Sequence, residues 1–124
     1  MSAARQELGE LGERVAARWL RARGWTVLAT RWRIGHRDLD LIIERTGTVA
    51  FVEVKARRAD GCGGPLGAVG WRKQRELMRS AMVWVDRHGR AGTEYRFDVF
   101  GVLLAGDTVR VRHVENAFAV RSNP

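Results

Sequence analysis

Cysteine is almost missing from this chain: Cys62 is the single thiol in 124 residues. One cysteine excludes an internal disulfide and any Cys-rich zinc site, and Cys62 itself reads as an incidental loop thiol. Long apolar runs are missing too. None approaches the roughly 20 residues needed to cross a bilayer, and the start Met1-Ser2-Ala3-Ala4-Arg5-Gln6-Glu7 lacks a signal-peptide core. A cytoplasmic protein without a membrane is the expectation. Lysine is scarce as well: of 22 basic residues only Lys55 and Lys73 are lysines. A basic position here is almost always arginine, so each lysine carries slightly more information than usual.

The composition, 45% hydrophobic and 29% charged over 124 residues, is that of a soluble globular protein. The length predicts a single domain over 1–124. A net charge of +8 favours a polyanionic partner, because clustered cations gain affinity by releasing counterions from phosphates. The arginine bias weakens that inference, since genome composition alone produces it.

Periodicity predicts a helix from Gln6 to Arg23, with Leu8, Leu11, Val15 and Trp19 on one side and Gly24 as its stop. A β-prone run covers Trp25 to Ile34. Two strands follow, Asp38–Glu44 and Val49–Lys55, around Arg45-Thr46-Gly47-Thr48. The glycine-rich stretch Arg57 to Gly67 reads as a mobile surface loop. A second helix is expected over Val69–Arg87, with Leu77, Met78, Ala81, Met82 and Val85 inward. Strands at Tyr95–Leu104 and Thr108–Val114 flank the turn Ala105-Gly106-Asp107. The order is α-β-β-β-α-β-β.

The hairpin carries the chemistry. A two-residue loop at Thr46-Gly47, or the four residues Arg45–Thr48, sets one register: Glu44 faces Val49, Ile42 faces Phe51, Asp40 faces Glu53 and Asp38 faces Lys55. Thr-Gly is a weak two-residue turn, so the four-residue version is preferred; a three-residue loop would put Asp40 and Glu53 on opposite faces. Leu39, Leu41 and Ile43 with Ala50, Val52, Val54 and Ala56 then make one apolar face. The other face gathers charge at one end. Opposed side chains sit roughly 4.5–5.5 Å apart at Cβ, so Asp40 and Glu53 repel unless a cation lies between them. Mg²⁺ chooses one or two carboxylates plus waters and phosphate. Asp40 and Glu53 would hold such an ion, and Lys55 on the same face would orient water or neutralise charge on a phosphate. The bland alternative is a solvated face, with Asp38 pairing Lys55. Glu13, at the edge of the first helix's apolar stripe beside Ala16 and Leu20, is either a third ligand or an ordinary flank carboxylate.

Gly12-Glu13-x-x-Ala16, Asp38-Leu39-Asp40-Leu41-Ile42, Phe51-Val52-Glu53-Val54-Lys55 and Arg96-Phe97-Asp98-Val99 resemble, in order, the motifs of the YraN-like family of small bacterial proteins. The resemblance covers nearly the whole chain. That family is similar to the restriction-endonuclease-like PD-(D/E)xK superfamily, within it to archaeal Holliday-junction resolvases. It implies an α/β (α+β) fold with an αβββαβ core: a mixed central sheet flanked by helices. It also implies Glu13 as the helix acid, Asp40 as the metal-binding aspartate, Glu53 as the second acid and Lys55 as the catalytic lysine. The family usually has Gly-Glu-Ile-Asp where this chain has Arg37-Asp38-Leu39-Asp40, which puts any role of Asp38 in doubt.

The leading expectation is a Mg²⁺-dependent endonuclease (Mn²⁺ as substitute) acting on DNA, branched DNA included, with Glu13, Asp40 and Glu53 at the metal. A nucleic-acid-binding module without cleavage is the alternative, and a protein-interaction scaffold the third. Lys73, Arg72, Arg75, Arg57 and Arg58 are candidate phosphate contacts, with Trp71 either joining them or buried. Arg96 and Asp98 share a side of one strand and read as a structural ion pair. His36, His88 and His113 have no metal-ligand spacing and read as surface residues. No Walker loop or Ser-His-Asp signal is present. A homodimer would let so small a nuclease engage two strands, though nothing in the sequence sets it.

Overall fold

The computed structural model describes residues 3–59 and 69–119; Cys62 and most of the glycine-rich stretch lie outside them. Helix α1 (Ala3–Ala22) is followed by β1 (Thr26–Ile34), β2 (Arg37–Arg45), β3 (Thr48–Arg58), α2 (Trp71–His88), β4 (Glu94–Ala105) and β5 (Thr108–Phe118). This is the expected order. Arg57 and Arg58 differ from expectation: they close β3 and do not open a loop. Among the described residues no helix is long and apolar enough to cross a membrane.

The strands form one sheet in the order β1-β2-β3-β4-β5. Neighbours are antiparallel except β3 and β4, which run parallel. A parallel pair needs a crossover, and α2 lies in the connection between these two strands. The result is a mixed sheet with α1 packed on one face and α2 on the other, consistent with the αβββαβ nuclease-like core.

Side chains alternate between the two faces as strand geometry requires. Ala50, Val52, Phe100 and Val102 join Ala16, Ala17 and Leu20 under α1. Val49, Phe51, Phe97 and Val99 join Leu77, Ala81 and Trp84 under α2. On α2 the buried stripe is Leu77, Ser80, Ala81 and Trp84. Met82, expected inward, is 45% exposed, because five residues from Leu77 it falls off that stripe.

The hairpin has the expected register, with Glu44 opposite Val49 and Ile42 opposite Phe51. Its turn is the tighter one. Arg45 pairs with Thr48, and both loop residues take positive φ, Thr46 at 49° and Gly47 at 80°, which is the primed two-residue geometry that matches strand twist. The preferred four-residue turn is therefore corrected, without change to the pairing.

Alternation breaks at Asp40. The β2–β3 ladder stops at Leu41–Val52, and the β1–β2 ladder passes from Thr30–Leu41 to Trp32–Leu39 without an Arg31–Asp40 pair. Arg31 is left-handed, with φ 47°, a conformation that costs a non-glycine residue about 1–2 kcal/mol. Across this break Leu39 turns to the α2 side with Ile42, while Leu41 and Ile43 stay under α1. The expectation that Leu39 shares the face of Leu41 and Ile43 fails for this reason: strict period-two alternation holds only along an unbroken strand.

Candidate active site

The strand junction that breaks the ladder also brings Asp40 to Glu53. Where β2 and β3 stop pairing through their backbones, the Asp40 carboxylate takes over: its Oδ2 accepts a hydrogen bond from the Val54 N–H at 2.8 Å. One carboxylate oxygen thus satisfies a backbone donor that the parted ladder would leave unpaired. Glu53, one residue before Val54, lies on the α2 side of β3. Burial, the Glu53 charge and a hydrogen bond with Glu53 push the Asp40 carboxyl up to about 8. The Val54 N–H and Lys73 pull the other way and lose.

Glu53 is 13% exposed at its side chain, and Lys73 Nζ stands 3.7 Å from Oε2. That is an ion pair without a hydrogen bond, and Oε2 is buried with no hydrogen-bond partner. A buried carboxylate oxygen left unsatisfied is costly. Two apposed acids, one with its carboxyl pushed up by burial and its neighbour and one with an oxygen that no hydrogen bond reaches, are a donor set suited to a hard divalent cation. Lys55 follows two residues on, on the same face of β3, partly buried.

Glu13 sits on α1 with its side chain 20% exposed and bonds Arg31 Nε at 2.6 Å; Arg31 also reaches Glu10 at 3.7 Å. Burial raises the Glu13 carboxyl above the ordinary range, the Arg31 bond opposes this, and the Asp40 charge adds to it. Glu13 therefore feels Asp40 electrostatically while its oxygen is engaged by Arg31. Among the described residues no three His, Cys, Asp or Glu side chains stand close enough to hold a metal together. Asp40 and Glu53 are brought together; Glu13 is held at their border. Arg31 was not legible as a neighbour of the site, and no sequence signal marks it.

Asp38 does not stand opposite Lys55 in the β2–β3 ladder, which ends at Leu41–Val52. Its cross-strand neighbour is Arg33, 3.7 Å away, because β2 has left β3 by that point. Lys73, in the first turn of α2, reaches the site through Glu53. Arg72 and Arg75 are exposed on the same turn. Trp71 is 65% exposed with the Arg75 guanidinium 4.7 Å over its ring, so it is a surface residue and not core. On β3, Arg57 is partly buried with an unpartnered Nε, and Arg58 is exposed.

A second polar cluster is structural. Asp98 is fully buried and accepts from Arg96 Nε and Nη2 at 3.0 and 3.1 Å and from the Asn116 N–H at 2.9 Å; His113 Nε2 lies 2.7 Å away. Burial works against its charge, but the His113, Asn116 and Arg96 bonds outweigh it and hold the carboxyl below its ordinary value. The expected Arg96–Asp98 pair is present. His113 is a correction: its side chain is 6% exposed and lies among Trp19, Trp25 and Phe100. Its partner is 15 residues away in sequence, beyond the reach of spacing rules. His36 and His88 are exposed as expected.

The mixed five-stranded sheet between two helices defines the class: an α+β protein whose element order is consistent with an αβββαβ nuclease-like core. Residues 12–102 match the uncharacterised protein family UPF0102, and the chain belongs to that family. A UPF0102 protein of Alkaliphilus metalliredigens is 37% identical over 91% of this chain and 98% of its own. Relatives from Myxococcus xanthus (37%; 94% of this chain, 92% of the relative) and Bifidobacterium longum subsp. infantis (40%; 91% and 94%) bear the same family name.

Proposed function

We propose that the protein is a divalent-metal-dependent endonuclease acting on DNA, branched DNA included. One observation carries this reading: Asp40 and Glu53 converge where the sheet parts, leaving Glu53 Oε2 buried without a hydrogen-bond partner and Asp40 pushed up to about 8. A protein gains nothing in stability from that apposition, so it supports a role for the pair in holding a cation. Asp40 and Glu53 would hold Mg²⁺ or Mn²⁺, with Glu13 added if it leaves Arg31. When bound, the ion supplies polarisation of the phosphate and a water of lowered pKa. Lys55 would neutralise charge developing on the phosphate, and Lys73, Arg72, Arg75, Arg57 and Arg58 would hold the flanking backbone.

The engagement of Glu13 by Arg31 favours one second reading: a nucleic-acid-binding protein in which cleavage is lost or awaits a partner. Incubation with branched and linear DNA, with and without Mg²⁺ or Mn²⁺, separates them. Metal-dependent cleavage lost in Asp40→Asn and Lys55→Ala supports the first. Salt-sensitive binding with no cleavage under either metal supports the second. No binding at moderate salt rejects both.

A further inference from the structure

Away from the carboxylates, an aromatic depression of about 370 Å³ opens on the α2 side of the sheet. Trp32, Trp84 and Tyr95 line it, with Leu28, Glu44 and Arg90. Glu44 lies four residues along β2 from Asp40, roughly 13 Å at strand rise. Trp84 lies eleven residues along α2 from Lys73, roughly 16 Å at helix rise. The depression is therefore a separate place on the same face.

Three features define its guest. Aromatic rings line the walls, and Leu28, at the β1 bulge between Val27 and Ala29, is 42% exposed. Glu44 is partly buried, yet no hydrogen bond or ion pair among the described residues engages its carboxylate. The rim is cationic: Arg87 stands 5.9 Å over the Trp32 ring, and Arg90 and His88 border the opening. An aromatic site with a lone carboxylate would suit a cationic side chain, but arginines at the rim oppose a second cation. They favour a planar group attached to phosphate. Against a carboxylate, such a group must present donors, and guanine alone among the bases offers adjacent N1–H and N2–H₂ donors on its pairing edge.

We propose that this depression binds an unstacked guanine of a nucleic-acid strand, stacked on Trp32 and hydrogen-bonded to Glu44. The proposal rests on the nucleic-acid reading above for its class of partner, and not on cleavage. It would give the protein a preference among unpaired or branched strands that phosphate contacts cannot supply.

The test is anisotropy titration of short labelled thymine strands carrying one guanine, inosine, adenine or cytosine, with EDTA present. The guanine strand should bind tightest, and inosine, which lacks the 2-amino group, should lose roughly tenfold. Trp32→Ala should weaken binding roughly tenfold or more, as loss of a stacking platform does. Glu44→Gln, which keeps shape and should keep the melting temperature, should erase the difference between guanine and inosine. Equal binding of all strands, or an intact guanine preference in Glu44→Gln, overturns the proposal. So does free guanosine monophosphate binding as tightly as the strand, or an arginine-rich peptide displacing it. Guanine preference without metal-dependent cleavage would refute the catalytic reading alone, and cleavage without guanine preference would refute this one alone.

Discussion

Replacing Asp40 with asparagine should make the metal-free protein more stable. In the folded chain burial and Glu53 push the Asp40 carboxyl from its ordinary 3.8 up to about 8. The folded state then holds a proton that the unfolded chain has released. Stability from that protonated group is whole below the unfolded value and is lost as pH rises toward about 8. A tenfold change in proton affinity is worth about 1.4 kcal/mol, so near pH 7 the ceiling on the cost is about 4 kcal/mol. Glu53 and Lys73 adjust to share the charge, and about half the ceiling, ~2 kcal/mol, is the expected gain. Asparagine cannot ionise, yet its carbonyl still accepts from the Val54 N–H. For a chain of this size ~2 kcal/mol raises the melting temperature by roughly 8 °C. Thermal unfolding followed by circular dichroism in EDTA, from about pH 5 to pH 9, reads the effect. The gain should grow with pH, and Mg²⁺ should stabilise the wild type but not the variant. A variant no more stable than wild type at about pH 8, or a difference flat across the range, would refute the reasoning.

Other perturbations test the scaffold. Asp98→Ala should cost about 3–5 kcal/mol in urea unfolding, since it takes the buried partner from Arg96, leaving it only the half-exposed Glu115 at 3.3 Å, and strands the Asn116 N–H. Because Asp98 is held below its ordinary value, its contribution is present above the unfolded value and is lost as pH falls through the folded one; that acid limb should vanish in the variant. Gly12→Ala would set a Cβ 2.7 Å from the Ala56 Cβ and push α1 off β3, at about 1–3 kcal/mol, and Ala56→Gly in the same chain should recover most of it. Thr46→Asn, better suited to positive φ in a primed turn, should add about 0.5 kcal/mol, read as a shifted urea midpoint with an unchanged slope.

What the sequence determined by itself is whatever depends on neighbours along the chain. The hairpin register follows from a short loop, so the apposition of Ile42 with Phe51 and Glu44 with Val49 is legible in the sequence. The same locality put Arg96 beside Asp98, and ordered motifs identified the family. Tertiary structure alone decided the rest. Strand-to-strand splaying, with left-handed Arg31 opposite the gap, turned Leu39 across the sheet and left Asp40 to bond Val54. Packing against Trp19, Trp25 and Phe100 drew His113 inward to Asp98, and α2 placed Lys73 against Glu53. The stripe on α2 departs from expectation at Met82 because helical spacing gives a face only to within one residue, and the sheet beneath chooses Trp84. Glu13 shows the division within one residue: its place on the helix flank was readable, but its bond to Arg31 was not. Periodicity encodes which way a side chain leaves its own backbone; what it meets there depends on a surface built from distant segments.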